Sequence, residues 1–291
     1  MNLTQLEVLV ATIDHGSMTE AAEVIGLTQS AVSYALSKLE AELGVTLLER
    51  GRHGVKVTQI GETVLLHART ILNQIEIIRQ ETARKRGLTV GKIRFGCVAN
   101  VPPRLLTGIL RDFQHRYAEI EVVLFEGTPR ELVEWLATGV IDVGTVTNPA
   151  GYINTNHFVH DELKVMVSTN HRLAQERVVT IQQLTQEQLI GPKIEYGVLT
   201  ELLVNKDIVF PPLRYAVSTR NTIFAMVREN LGSAFILNML IEPDIQGITV
   251  LSLQPGMFVD IYLASYTRSP AVEAFLNCAS SWARTHGYLP D

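Results

Sequence analysis

Cysteine is nearly absent: Cys97 and Cys278 are the only two in 291 residues, and they stand far apart without the paired spacing of a zinc site. That excludes a disulfide framework and a structural thiolate-zinc centre, and both thiols read as buried, reduced core residues. No apolar run approaches the roughly 18 residues of a membrane span. "MNLTQLEVLV" carries no basic flank ahead of a long apolar stretch, so the chain reads as cytoplasmic with no membrane partner. An excess of positive charge is missing too. The net charge is −5, with 9 Lys/Arg against 10 Asp/Glu in residues 1–90 and 16 against 20 in the rest. Bulk charge therefore lends nothing to nucleic-acid binding, and any such function must rest on local arrangement.

Catalytic motifs are scarce as well. There is no G-x-S-x-G or H-E-x-x-H, and "GLTVGKI" is one residue short of a P-loop and lacks its Ser/Thr. His157 and His160 in "HFVH" hint at a metal, but no Cys/His/carboxylate cluster along the chain completes a set. We expect no enzyme, no catalytic residue, no metal and no cofactor. Internal repeats, low-complexity tracts and long flexible linkers are also lacking. What is present is 46% hydrophobic content, enough for a sizeable core and more than one domain.

Residues 3–14 put Leu6, Leu9, Val10 and Ile13 on one helical face, ended by His15-Gly16. "SMTEAAEVIG" opens with a capping box, Ser17 to Glu20, and stops at Gly26. After a three-residue turn, Thr28 caps "QSAVSYALSKLE". Val32, Leu36, Leu39 and Leu43 form its core stripe, while Gln29, Ser30, Ser33, Tyr34, Ser37 and Lys38 form a polar face. Those are mediocre helix formers, an odd choice for a face that only meets solvent. Two short helices about a Gly-containing turn match a helix-turn-helix. Leu47-Leu48 and Val55-Lys56-Val57 then make a two-stranded wing tipped by Arg50, Arg52, His53 and Lys56. Thr58 caps a long helix to about Gly87, whose Val64, Ala68, Ile71, Ile75 and Ile78 follow a heptad spacing that wants a partner helix.

From Gly91 strands alternate with helices. "KIRFGCV", "EVVLFEG", "VIDVGTV", "ELKVMVS", "RYAVS", "SAFIL" and "DIYLASY" read as strands. "PPRLLTGILRDFQHRY", "TPRELVEWLATG" with a Thr128–Glu131 capping box, residues 197–205, "NTIFAMVREN" and "SPAVEAFLNCASSWART" read as helices. The alternation predicts an α/β domain of two lobes on a parallel sheet with helices on both faces and a ligand cleft at the strand ends.

"GSMTEAAEVIGLTQSAVSYALSKLEAELGVTLLER" through "VTQIGE", together with "KIRFG…LLTGILRDFQHRYAEIEVVLFEGTPRELVEWLATGVIDVG", "ELKVMVSTNHRLA" and "IYLASYTRSP", resembles the LysR-type transcriptional regulators over essentially the whole chain. It departs at Ser30 and Ala118, where the family commonly has proline, and at "SAFILNML". The resemblance implies a winged helix-turn-helix over 1–58, a dimerisation helix over 59–87 and an effector-binding domain over 88–291 resembling type 2 periplasmic binding proteins. Lobe I would span about 91–162 plus 268–291, and lobe II about 163–267. It also implies a homodimer through 59–87, a homotetramer, double-stranded DNA with an interrupted palindromic site as partner, a small-molecule effector, and RNA polymerase as a further partner.

On that frame, the candidate DNA contacts are Gln29, Ser30, Ser33, Tyr34, Ser37, Lys38, Arg50, Arg52 and Thr58. Gln pairs bidentately with adenine, small hydroxyls serve base edges or phosphates, and the cations meet phosphate or the minor groove. Gln29 and Ser30 also read as first-turn capping residues, Ser33 and Ser37 as plain surface and Tyr34 as cover for the core edge, while Thr58 reads first as a cap and only then as a phosphate ligand. Effector candidates are Asn100, Val101, Thr128, Thr147, Tyr196, Ser218, Thr219 and Arg220, which follow strands at helix starts. Helix N-termini favour an anion, so the expected effector is a small anionic metabolite, although Asn100, Thr128 and Ser218 also read as caps and Arg220 as a surface ion pair. The competing reading is a solute-binding or sensor protein with no specific DNA target.

Overall fold

The computed structural model describes residues 1–51, 54–86, 90–98, 101–192, 212–241 and 245–289, without the side chain of Arg50. Two compact units divide the chain: Met1–Gly91 with Thr138–Val140, and Lys92–Ala137 with Ile141–Asp291.

In the first unit, local chemistry sets each element. Helix α1 (Leu3–His15) starts at an Asn2–Gln5 capping box and ends at Gly16, φ +66°. In α2 (Met18–Ile25) the Ser17 side chain accepts from the Thr19 and Glu20 N–H groups, and Gly26 at φ +73° stops the helix. The return bond from Glu20 is absent among the described residues, so only half of the expected box forms. Thr28 accepts from the Ala31 N–H at 3.2 Å and opens α3 (Gln29–Leu43). Val32, Leu36 and Leu39 of α3 are fully buried against Leu6, Val8 and Leu9 of α1, each side chain contributing roughly 1.5–3 kcal/mol. Leu43 departs from the expected stripe and is 38% exposed, because the last turn of α3 runs past the core before Gly44 turns the chain. The wing pairs β1 (Leu48–Gly51) antiparallel with β2 (Gly54–Val57).

Helix α4 (Gln59–Lys85, 27 residues) spans about 40 Å at 1.5 Å per residue. Its start is welded to the wing. The Thr58 hydroxyl accepts from the Gly61 N–H at 3.0 Å and donates to the Thr46 carbonyl at 2.8 Å. A Cβ on Gly61 would lie 2.2 Å from the Leu47 carbonyl oxygen, so only glycine permits this approach. Farther along, Arg69 forms a two-point ion pair with Asp14 of α1.

The second unit carries one sheet. Its strands are β3 (Gly91–Val98), β4 (Ile120–Gly127), β5 (Val143–Val146), β6 (Asn154–Ser168), β7 (Val178–Val179), β8 (Leu189–Pro192), β9 (Leu213–Val217), β10 (Ser233–Leu237) and β11 (Ile248–Ser265). The order is β4-β3-β5-β11-β6-β10-β8-β9, with β7 on β11. Around it lie α5 (Pro103–Arg116), α6 (Pro129–Thr138), α7 (Ile181–Leu184), α8 (Arg220–Arg228) and α9 (Pro270–Thr285). The helix expected at 197–205 lies outside the described residues.

The sheet is mixed rather than parallel. β3/β5, β8/β9 and β8/β10 are parallel, as strand-helix-strand units demand, but β11 runs antiparallel to both β5 and β6, and β10 antiparallel to β6. The reason is the insertion of β11: it enters from the far end of the chain and lies between β5 and β6, which run in the same direction on either side of it and are joined by residues 147–153. β6 and β11 are also far longer than the "ELKVMVS" and "DIYLASY" segments suggested, and β6 runs through position 162–163. Their pairing breaks twice, between Ser252 and Met257, opposite Lys164 and Leu163, and between Ile261 and Tyr262, opposite Val159 and His157. One core gathers Ile93, Phe95, Leu105, Phe113, Leu163 and Phe275, and a second gathers Met166, Ile190, Ile223, Val227 and Ile236, so β6 contributes to both. Glycine again sets a close approach at Gly108 of α5, where a Cβ would sit 2.1 Å from the Trp282 ring of α9.

Candidate functional site

The reading face of α3 is built by its own periodicity. With Val32, Leu36 and Leu39 facing inward, Gln29, Ser30, Tyr34, Ser37 and Lys38 are exposed and Ser33 is half-buried. Tyr34 is 69% exposed, which removes the reading of it as cover for the core edge. The Ser30 hydroxyl lies 3.0 Å from that of Thr28. Lys38 has no ion-pair partner among the described residues. Thr58 is different: its hydroxyl proton is engaged by the Thr46 carbonyl and its own N–H by the Leu47 carbonyl, 2.9 Å. It has no donor left for a phosphate and acts as a cap and tie. Arg50 belongs to β1 by its backbone, but its side chain, like the whole of Arg52 and His53, lies outside what is described.

One functional residue escaped the sequence reading. Glu40, the last residue of the α3 stretch, accepts from the Leu47 N–H at 2.7 Å and the Leu48 N–H at 3.1 Å. These charge-assisted bonds fix the root of the wing to the reading helix. The only signal was a carboxylate at the inner edge of an otherwise apolar stripe.

The second unit contains a cavity of about 880 Å³. Val101, Thr128, Thr147, Ser218, Thr219 and Arg220 all line it, drawn from both ends of the sheet; Asn100 and Tyr196 lie outside the described residues. Two details differ from expectation. The cap of α8 is Thr219, which accepts from the Thr222 N–H, not Ser218. The start of α6 is already occupied: the Thr128 N–H donates to Glu131 Oε2 at 2.7 Å and the Glu131 N–H to Thr128 Oγ1 at 3.2 Å. The backbone and then the hydroxyl of Thr128 hold the Glu131 carboxyl below its ordinary range against a small opposing effect of burial. That end of α6 is no longer an open anion site. Arg220 is half-buried, and among the described residues it has no ion-pair partner.

Thr145 of β5 was missed. It lines the cavity, is 6% exposed, and its hydroxyl has no hydrogen-bond partner among the described residues. A buried hydroxyl left unpaired is costly and invites a ligand partner. Its signal was a single polar residue within the buried run "VGTV".

Both cysteines sit in the larger core. Burial, with the Glu126 charge adding to it, pushes the Cys97 thiol up to about 12. Burial and then the Asp112 carboxylate push Cys278 up to about 11. The expectation that His157 and His160 lack a completing ligand fails: Asp260 lies 2.9 Å from His157 Nε2 and 2.8 Å from His160 Nδ1. That carboxylate comes from β11, about a hundred residues along the chain, where no local spacing could reveal it.

Among the described residues no helix is long and apolar enough to cross a membrane. Residues 3–62 match the bacterial regulatory helix-turn-helix protein model of the lysR family, and residues 86–284 match the LysR substrate binding domain. The chain is 32% identical over 268 residues to the HTH-type transcriptional regulator YvbU of Bacillus subtilis, covering 91% of each. Its fold is similar to that of full-length OxyR from Pseudomonas aeruginosa, with a TM-score of 0.80 at 20% identity over 98% of each chain. It is likewise similar to full-length CbnR complexed with its target DNA, with a TM-score of 0.62 at 21% identity over 97% of this chain and 100% of that one. A helix-turn-helix in the first unit, a ligand-sized cavity in the second and these matches across nearly the whole chain make one conclusion: the protein belongs to the LysR family of bacterial transcriptional regulators.

Proposed function

We propose that this DNA-binding regulator reads its target through Gln29, Ser33, Tyr34 and Ser37 of α3, with Ser30, Lys38 and the wing arginines Arg50 and Arg52 on the phosphates. The observation that carries it is the division of α3: three apolar residues at 0% exposure on one side and an exposed polar face with Tyr34 at 69% on the other. In an acidic chain, affinity cannot come from general charge, so the face must be presented more than once. LysR-family regulators bind DNA as oligomers with small-molecule effectors. Ile71 and Ile78, seven residues apart on α4, are 38% and 62% exposed, which supports pairing through that helix. Two reading helices would then meet successive half-sites of an interrupted palindrome, and a second contact between effector domains would give a tetramer.

The cavity, with an apolar lining broken by Thr145, Arg220, Glu126 and Glu131 among the described residues, suits the binding of the effector. The effector would have an apolar body, an acceptor for the Thr145 hydroxyl, and an anionic group directed at Arg220 and away from Glu126 and Glu131, which line the same cavity. Its preference for one closure of the lobes would shift the populations of oligomer arrangements.

Two measurements test this. A duplex from the gene's upstream region should give a salt-sensitive, sequence-specific complex that Ser33→Ala and Tyr34→Ala weaken; unchanged affinity and footprint would remove the reading-face assignment. Calorimetric titration against a metabolite panel should find a carboxylate whose affinity falls on Arg220→Ala, and a neutral compound binding alone would defeat the anion reading.

A further inference from the structure

His157 and His160 are three residues apart on β6, and on a regular strand an odd separation sends side chains to opposite faces. The ladder with β11 breaks at this point. Val159 pairs with Ile261 and His157 with Tyr262, so Phe158 is an extra residue on β6. This bulge reverses the alternation and brings both imidazoles to the face where Phe258, Asp260 and Tyr262 alternate on β11; bulges re-aim side chains in this way. His160 stands directly opposite Asp260. Both rings are held by stacking: His160 on Phe258 with centroids 5.0 Å apart at 8°, and His157 on Tyr262 at 5.0 Å and 25°.

We propose that His157, His160 and Asp260 form a binding site for a borderline divalent cation such as Zn²⁺, with three protein ligands and one position open to solvent. Two imidazoles and a carboxylate are the donor set that such ions take, whereas Mg²⁺ and Ca²⁺ prefer oxygen alone. The three ligand atoms lie within 4.8 Å of one another. Tetrahedral coordination at 2.0–2.1 Å separates ligand atoms by about 3.3 Å, so the two N···O contacts need to open by only about half an ångström. Side-chain exposures of 39% for His157, 33% for His160 and 43% for Asp260 leave a path for the ion and room for a water as fourth ligand. A simple ion pair needs one histidine. Two histidines converging on the same carboxylate oxygen, through a bulge that exists at that step of the ladder, exceed what strand pairing requires.

The position gives the ion something to act on. Phe158, Val159 and Ile261, the residues between these ligands, line the effector cavity, so the site lies on the back of the same two strands. An ion held there ties β6 to β11 across the bulge and stiffens that wall of the cavity.

The test uses untagged full-length protein stripped with a chelator, titrated with Zn²⁺ by calorimetry and with Co²⁺ by visible absorption. One equivalent per chain is expected, with Co²⁺ d–d bands of low-coordinate geometry and a Zn²⁺-dependent rise in the unfolding midpoint. His157→Gln, His160→Gln and Asp260→Asn each weaken binding at least about tenfold. His171→Gln, at a histidine paired instead with Glu187 at 2.9 Å, leaves it unchanged and controls for other surface histidines. Unfolding midpoints of the metal-free variants close to that of the parent establish that loss of binding is not loss of fold. No stoichiometric uptake of Co²⁺, or uptake that survives the His157→Gln/His160→Gln double substitution, overturns the proposal.

Discussion

Replacing Thr145 by Val separates what the cavity costs the free protein from what it offers a ligand. The hydroxyl is buried, lines the cavity and has no partner among the described residues, while the backbone is secured in the ladder opposite Leu263. An unsatisfied buried donor or acceptor costs about 1–3 kcal/mol, and Val matches the shape of Thr without it. Effector-free Thr145→Val should therefore be more stable by about 1 kcal/mol or more, raising the midpoint of thermal unfolding by roughly 2–4 °C per kcal/mol for a chain of this size. The bound effector loses one hydrogen bond, about 0.5–1.5 kcal/mol, or roughly two- to thirteenfold in affinity. Unfolding of the free protein and calorimetry with the effector read the two halves independently. Opposite signs are the signature, since a residue that merely packed the wall would lower both. A loss of stability with unaltered affinity would show that the hydroxyl is already served in the free protein, and its assignment to the ligand would be abandoned.

Other substitutions probe the remaining parts. Leu36→Ala, at 0% exposure, should cost about 2–5 kcal/mol in urea unfolding and weaken every duplex alike. Gln29→Ala should leave stability within about 0.5 kcal/mol but lower specific affinity by about 1–3 kcal/mol per half-site; fluorescence anisotropy showing equal loss on specific and unrelated duplexes would contradict base reading. Because the Thr128 bonds lower the Glu131 carboxyl in the fold, they contribute stability above the ordinary carboxylate range that is lost as pH falls through the folded value. Glu131→Gln should flatten that acid limb in unfolding measured against pH, and an unchanged limb would mean the box contributes nothing. Cys97 and Cys278, both raised by burial, should resist a disulfide reagent at neutral pH until denaturant is added; prompt labelling of the folded protein would show that the core opens readily.

The first unit was legible because its signals are local. Thr28 and Gly26 bound the turn, Val32, Leu36 and Leu39 repeat at helical spacing, and Thr58 opens the long helix, each within a few residues of its effect. Even there, the contact that crosses elements left little trace: a carboxylate at the edge of an apolar stripe does not say that Glu40 holds the N–H groups of Leu47 and Leu48. In the second unit the strand-helix alternation correctly indicated parallel pairs such as β3 with β5, but it says nothing about strands that return without a helix. The mixed sheet therefore emerged only from the pairing of β6 with β11.

The sequence by itself determined the helix-turn-helix, the wing, the long helix after Thr58 and the existence of an α/β domain, because capping, period and turn chemistry act over one or two turns of chain. Tertiary structure decided which loops face one cavity, which buried hydroxyl is left without a partner and that Asp260 meets His157 and His160 across separations of 103 and 100 residues. Those outcomes depend on strand order, on a register break at Ser252 and a bulge at Phe158. A one-residue change of register sends a side chain to the other face of a sheet, and no pattern within a single strand records it.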